Sequence, residues 1–170
     1  MSMYYPERIC CLTEETTEVL YALGEEERIV GISGFTVRPK RARKEKPKVS
    51  AFVDADIPKI EALKPDLILA FSDIQADITR ELISRGHTVF TFNQRTISEI
   101  LNTVVLIGSL VGRQRDAETL AKSLAENVDR VWVESSNVTR RPKVYFEEWP
   151  EPMITGIGWV SELIEAAGGE

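Results

Sequence analysis

Two stretches of this chain share one pattern, a short apolar run that closes in a polar turn. In the first, Arg8-Ile9-Cys10-Cys11-Leu12 leads into Thr13-Glu14-Glu15-Thr16-Thr17-Glu18 and then the apolar Val19 to Gly24. In the second, Ile60 to Leu63 and Lys64-Pro65-Asp66 lead into Leu67-Ile68-Leu69-Ala70-Phe71. Unbroken apolar strands are buried on both faces, the condition of a parallel sheet, and such sheets bind ligands at the carboxyl ends of their strands. The residues that follow these strands are polar and aromatic and lack the glycine-rich turn of a nucleotide cradle.

The same reading extends along the chain. Thr13 is the expected N-cap of a helix that Gly24 ends, and Arg28 to Ile32 is a second strand. Residues 38–48, with Pro39 and Pro47, are too proline-punctuated for regular structure. Val49 to Phe52 extends briefly, and Ile57 to Leu63 forms a short helix with Pro58 near its first turn. Leu67 to Phe71 is a third strand, and Ser72-Asp73-Ile74-Gln75 has the spacing of a capping box opening a helix to about Arg85. Gly86-His87 turns into a fourth strand, Thr88 to Phe92.

Beyond this point the period changes. Thr96-Ile97-Ser98-Glu99 is another capping box, followed by apolar residues at helical spacing from Ile97 to Leu110 and, more sparsely, to Val131. Gly108 and Gly112 leave two readings open, one bent helix or two helices. After Ser135-Ser136-Asn137 come a fifth strand, Pro142 to Phe146, a loop carrying Trp149 and Trp159, and a helix from Val160 to Ala167. The predicted class is α/β: a parallel-sheet lobe, a long helical connection, and what looks like the opening of a second α/β lobe.

Composition narrows the picture. With 170 residues and 43% hydrophobic content, the chain can bury a real core. Its net charge of −6 argues against nucleic acid as a partner. Residues 38–48 are the local exception, with seven cations against Glu45, so that this segment carries +6 and the remainder −12. The segment reads first as a solvated loop and second as a basic rim for an anionic ligand. The two cysteines, Cys10 and Cys11, are adjacent, so on a strand they point to opposite faces and form no ordinary disulfide or metal pair. No run reaches the length of a membrane span, and no basic and apolar leader opens the chain, which on its own places it in the cytosol unless a leader has been removed.

Catalytic chemistry finds little support. The single histidine, His87, falls at the edge opposite the expected ligand edge and reads as a surface residue. No serine lies in a nucleophile elbow. Glu147-Glu148 reads as an exposed acidic pair. Glu14, Glu15 and Glu18 occupy the turn where a phosphate would need uncompeted amides. What gathers at strand ends is aromatic: Phe35, Phe52, Phe71 and Phe92, with Trp149 and Trp159 around the later loop. Several such rings at one edge suit a broad, flat ligand held by stacking and a few polar contacts.

These residues resemble the substrate-binding proteins of ABC importers for iron-siderophores, haem and cobalamin. The resemblance rests on Pro6 to Ile9 leading to Thr16-Thr17-Glu18-Val19-Leu20-Tyr21-Ala22-Leu23-Gly24, on Ile29 to Ser33, on Ile57 to Ala70, and on Gly156 to Gly169. It is strongest to the cobalamin-binding branch, whose flavour is also present in Tyr145 to Trp149 and Gly156 to Trp159. The resemblance implies an N-terminal α/β lobe over 1–95, a backbone helix over 96–136 and over 137–170 the incomplete start of a C-terminal α/β lobe, a ligand held without chemistry in an aromatic-lined cleft between the lobes, and export from the cytoplasm. It implies a corrinoid ligand in preference to a ferric siderophore or haem, with no intrinsic cofactor, no metal site of the protein's own and no membrane insertion. Ligand contacts carried over or expected are Thr13, Glu14, Thr16, Phe35, Phe52, Phe71, Trp149 and Trp159, with Phe35 standing where that branch often has tyrosine. The basic loop is expected to meet acidic groups on the ligand. The family's permease-docking acid falls at Pro58, leaving Asp54, Asp56 or Glu61 as substitutes. The alternatives are an intracellular α/β enzyme subunit acting on a corrinoid or metal chelate, and a simple interaction module.

Overall fold

The computed structural model describes residues 5–170, and its chain divides into two compact units. The first comprises the residues up to Asn93 together with Leu106–Ala117, and the second comprises Gln94–Val105 and Glu118–Glu170.

The first unit is built on a six-stranded sheet. In chain order it contains β1 (Ile9–Cys11), α1 (Glu14–Ala22), β2 (Ile29–Ser33), α2 (Ala42–Glu45), β3 (Lys48–Ala51), β4 (Asp54–Ala55), α3 (Ile57–Ala62), β5 (Leu67–Phe71), α4 (Ala76–Ser84) and β6 (Val89–Phe92). The strands lie in the order β4-β3-β2-β1-β5-β6, all neighbours parallel except the antiparallel β3–β4 pair. The chain winds from β1 toward β3 on one side and returns through β5 on the other. The strand order therefore reverses at β1 and β5, the position at which open α/β sheets form their ligand crevice.

Alternation along β1 divides the core. Cys11 joins Ile9, Leu20, Ile32, Leu69 and Ile107 on one face, whereas Cys10 joins Leu12, Val49, Ile60, Ile68 and Leu82 on the other. The adjacent cysteines thus belong to different cores, as a period of two requires. Both are fully buried and free, and burial pushes each thiol up to about 12.

Three local expectations need correction. The proline-punctuated basic segment contains the one-turn helix α2, because Ala42 is fully buried and anchors it from within. Residues 142–146 form no regular strand; Glu170 brackets this segment, donating to the Pro142 carbonyl at 3.0 Å and accepting from the Val144 amide at 2.7 Å. One rung of parallel pairing does not make a ladder. The loop predicted around Trp149 contains a small hairpin, β7 (Trp149–Pro150) against β8 (Met153–Ile154).

The long periodic segment is two helices, α5 (Ile97–Leu110) and α6 (Gln114–Ser135), which settles the alternative left open by the glycines. Gly112 adopts φ +78 between them, a conformation that favours glycine. At Gly108 an added Cβ would lie 2.2 Å from the Ala117 Cβ, so the small residue permits the close approach. The second capping box is present: the Glu99 amide donates to Thr96 Oγ1 at 3.2 Å, and the Glu99 carboxylate accepts from the Thr96 amide at 3.0 Å. The second unit ends in α7 (Gly158–Ala166). Among the described residues, no helix is long and apolar enough to cross a membrane.

Candidate functional site: the carboxyl edge of the parallel sheet

Because β1, β2, β3, β5 and β6 run in one direction, the segments after them emerge at one edge. These are Thr13-Glu14, Gly34-Phe35-Thr36, Phe52-Val53, Ser72-Asp73 and Asn93. Two of them carry residues with positive φ that are not glycine, Phe52 at 50° and Ser72 at 61°. Such conformations cost free energy and persist where surrounding contacts hold them.

The holding contacts converge on Gln75. Its side chain is fully buried; Nε2 donates to the Phe52 carbonyl at 2.6 Å and to the Leu12 carbonyl at 3.4 Å, while Oε1 accepts from the Phe71 amide at 3.0 Å. The segments after β1 and β3 and the end of β5 are therefore fastened by one amide. The sequence signal was present in Ser72-Asp73-Ile74-Gln75, read as a capping box. Ser72 does cap the Asp73–Gln75 turn, accepting from the Ile74 amide at 3.2 Å, but Gln75 binds one residue earlier than a capping box would and reaches two other loops. Ser50 reinforces the arrangement by donating to the Leu12 carbonyl at 3.0 Å.

The expected ligand residues separate into groups. Thr13 and Thr16 are buried, Thr13 donating to Glu15 at 2.8 Å and Thr16 donating to the Thr13 carbonyl at 3.1 Å. They set the shape of the turn and do not present their hydroxyls, which corrects the expectation of direct contact. Thr13 is the N-cap residue in backbone conformation, but its hydroxyl makes no cap bond to the helix. Glu14 is half-buried, and its Oε2 is buried without a partner.

Among the aromatics, Phe35 is 56% exposed at the edge, whereas Phe52 and Phe71 are half-buried there. Phe71 also packs against the first core. Phe92 does not belong with them: it is 3% exposed, lies in that core beside Ile107 and Val111, and stands 4.8 Å from the Phe90 ring. Its place on β6 turns it inward. In the second unit Trp149 is exposed on β7, with Nε1 donating to the Glu151 carbonyl at 3.0 Å. Trp159 is half-buried in the first turn of α7 and not in the loop, its amide donating to the Arg95 carbonyl at 2.8 Å.

The basic segment is folded back onto the protein. Arg38 pairs with Glu18 at 3.1 Å, and Arg41 pairs with Glu26 at 2.6 Å and lies 4.8 Å over the Tyr21 ring. Arg43 donates to the carbonyls of Gly34 and Thr36, and Lys48 donates to the Arg43 carbonyl. Backbone donation to Glu26, reinforced by the Arg41 guanidinium, holds that carboxyl below its usual range. The expectation that this loop greets acidic groups on a ligand is corrected for these four cations, which already have protein acceptors.

The three alternatives for the docking acid have different partners. Asp54 opens β4 and accepts from the Ala55 amide, and Asp56 caps α3 by accepting from the Lys59 amide at 3.0 Å. Glu61, at the far end of α3, pairs with Arg85 at 3.3 Å and lies 4.0 Å from His87 Nε2. His87 is partly exposed there, at the edge opposite the strand carboxyl ends.

This arrangement of a parallel sheet, an order reversal and an aromatic edge has close counterparts. Residues 9–170 match the periplasmic binding protein family. The chain belongs to that family. An uncharacterized ABC transporter substrate-binding lipoprotein of Bacillus subtilis is 30% identical over 159 residues, covering 90% of this chain and 50% of that protein. A vitamin B12-binding protein of Vibrio parahaemolyticus is 26% identical over 167 residues, covering 96% of this chain and 60% of that protein. The solved structure of a possible iron-binding periplasmic solute-binding protein from Staphylococcus epidermidis superimposes with a TM-score of 0.83 at 26% identity, over 98% of this chain and 67% of that one. The chain spans about half to 60% of the length of the two curated relatives.

Proposed function

We propose that this chain is the ligand-binding N-terminal portion of an ABC importer's substrate-binding protein, and that its ligand is a corrinoid such as cobalamin. Binding occurs without chemistry, outside the cytoplasm, and the loaded protein delivers the ligand to a permease. The reading is supported chiefly by the edge itself, where exposed Phe35 stands with half-buried Phe52 and Phe71 on loops fastened by Gln75. Flat rings on a held scaffold suit a planar macrocycle, since stacking needs area and little rearrangement. The relatives named for vitamin B12 and cobalamin add support in the same direction. Trp149 and Trp159 remain proposed ligand residues, and Asp54 is the proposed docking acid, because Asp56 and Glu61 already serve α3 and Arg85.

The test is spectroscopic titration of the chain with cyanocobalamin, with calorimetry alongside. Saturable binding at one site, weakened tenfold or more by Phe35→Ala, is the expected result. Absence of binding, both in this chain and in a version carrying a complete second lobe, overturns the corrinoid reading. A ferric chelate is the second ligand to try, favoured by the likeness to the Staphylococcus epidermidis protein whose description names iron.

A further inference from the structure

The two ends of the six-stranded sheet are finished differently. At one end β4 is two residues long, runs antiparallel to β3 and carries Asp54. At the other end β6, with four residues, pairs with β5 alone, and the run from Thr88 to Gln94 contains no charged residue and no proline. Shortness, charge and proline are devices that keep a strand edge from pairing with another chain. β4 has the first two, whereas β6 has neither charge nor proline.

The ladder fixes which groups of β6 are free. The amides of Ile68 and Ser72 donate to the carbonyls of Thr88 and Phe92, at 2.9 and 2.6 Å. Backbone direction alternates along a strand, so Thr88, Phe90 and Phe92 turn toward β5 while Val89 and Thr91 turn their amides and carbonyls away from the sheet. Thr91 is exposed. Beside it runs a groove of about 650 Å³, lined by Asp73, Ala76, Thr79, Arg80, Ile83 and Thr91. Ile83 is 55% exposed, and Thr79 keeps its hydroxyl oxygen buried and so presents carbon. Asp73 precedes α4, and Arg80 stands further along that helix, where it pairs at 3.0 Å with Asp77. Both members of that pair lie open to solvent, so it is worth little and exchanges readily.

We propose that this edge seats a second copy of the chain, through antiparallel β6–β6 pairing about a two-fold axis beside Thr91. A two-fold contact needs a surface complementary to itself, and the groove has that property: an acid toward one end, a base further along, and Ile83 beside a small apolar floor. In the pair, Thr91 faces its own counterpart and exchanges two N–H···O bonds with it, and Val89 faces Asn93 of the second copy. The Asp73 end of each groove meets the body of α4 in the other copy, so each Asp73 comes to face an Arg80. Strand addition supplies the hydrogen bonds and the groove supplies the fit. Standard interfaces bury about 1,600 Å², more than one short strand and one helix face offer, so the dimer is weak and concentration-dependent. Phe35 follows β2, three strands away, which makes pairing separable from ligand binding.

Sedimentation velocity of the whole chain over roughly a hundredfold range of concentration reads the association. The expected result is a shift from monomer to dimer that stops at two. Thr91→Pro removes an outward amide while leaving the β5 ladder intact, and Ile83→Asp charges the groove; each weakens the dimer at least tenfold. Arg80→Asp and Asp73→Arg, both at exposed positions, do the same, because each sets like charges against one another. An equimolar mixture of these last two restores association to within threefold of the parent, since both contacts become opposite in charge. In hydrogen exchange the Thr91 amide is fast in dilute protein and protected in concentrated protein. Thermal melting verifies that each variant is folded. A chain that stays monomeric throughout overturns the inference. So does a dimer indifferent to all four variants, which places the contact elsewhere, or a mixture no better than its components. Oligomers that grow past two also overturn it, because a two-fold contact closes.

Discussion

The side-chain amide of Gln75 donates to the carbonyl oxygen of Phe52 at 2.6 Å across 23 residues of sequence. That bond holds Phe52 in its left-handed conformation, and the same amide fixes the ends of β1 and β5. One buried residue therefore sets the relative positions of three segments at the edge where the ligand is proposed to sit.

Gln75→Ala removes all three bonds and leaves the Phe71 amide and the Phe52 carbonyl without these partners. At about 1 kcal/mol net per hydrogen bond, and more where a buried group is orphaned, the variant loses about 2–4 kcal/mol. Urea denaturation measures this as a lower midpoint with an unchanged slope. A loss below about 0.5 kcal/mol would mean that water replaces the amide and that the loops hold themselves.

Phe92 and Phe35 make opposite predictions, although both follow the same strand-end pattern in the sequence. Phe92→Ala opens a cavity in a core of Ile107 and Val111 and is expected to cost about 3–5 kcal/mol. Phe35→Ala, at an exposed position, stays within about 0.5 kcal/mol of the parent and reduces ligand affinity. Paired melts and titrations of the two variants decide it; a destabilised Phe35→Ala would make that ring structural.

Much of the fold was legible because unbroken apolar runs have few alternatives. Leu67 to Phe71 can be a strand only if both faces are covered, and its parallel pairing with β1 and β6 follows. The separation of Cys10 from Cys11 follows from the period of a strand alone. The roles at the edge were less legible, since they depend on register between strands distant in sequence. Nothing local shows that Gln75 reaches Leu12 and Phe52, or that β6 turns Phe92 toward Ile107. The basic segment misled for a related reason: its charge was evident, but the acceptors that occupy it lie on α1, on the turn after α1, in the loop after β2 and on its own backbone.

Gly31 tests how tightly β2 packs between its neighbours. A Cβ there would lie 2.9 Å from Val49 Cγ1 and 3.0 Å from Cys10 Sγ, closer than side-chain atoms normally approach. Gly31→Ala is expected to destabilise by about 1–3 kcal/mol, the usual cost of overpacking. Combining it with Val49→Ala relieves the clash, so the double variant loses less than the two single losses added together. Strict additivity in denaturation midpoints would show that the strand shifts and absorbs the methyl without strain.

The buried cysteines give a prediction about pH. Burial, the largest cause, raises each thiol from an ordinary value of 9.0 to about 12 in the folded chain, while the unfolded chain keeps the ordinary value. Between these values the unfolded state has released protons that the folded state retains. Stability is therefore fully present below pH 9 and falls as pH rises toward 12, because deprotonation favours the unfolded chain. Denaturation midpoints at pH 8 and pH 10.5 should show a larger drop in the parent than in a Cys10→Ala, Cys11→Ala variant, which lacks both groups. At pH 8 the native chain should also react with a thiol reagent only as fast as it opens, and denaturant should release two reactive thiols. Rapid modification of the native protein by the reagent would place at least one sulfur within reach of solvent and contradict the division of the cores on which the sheet's two faces depend.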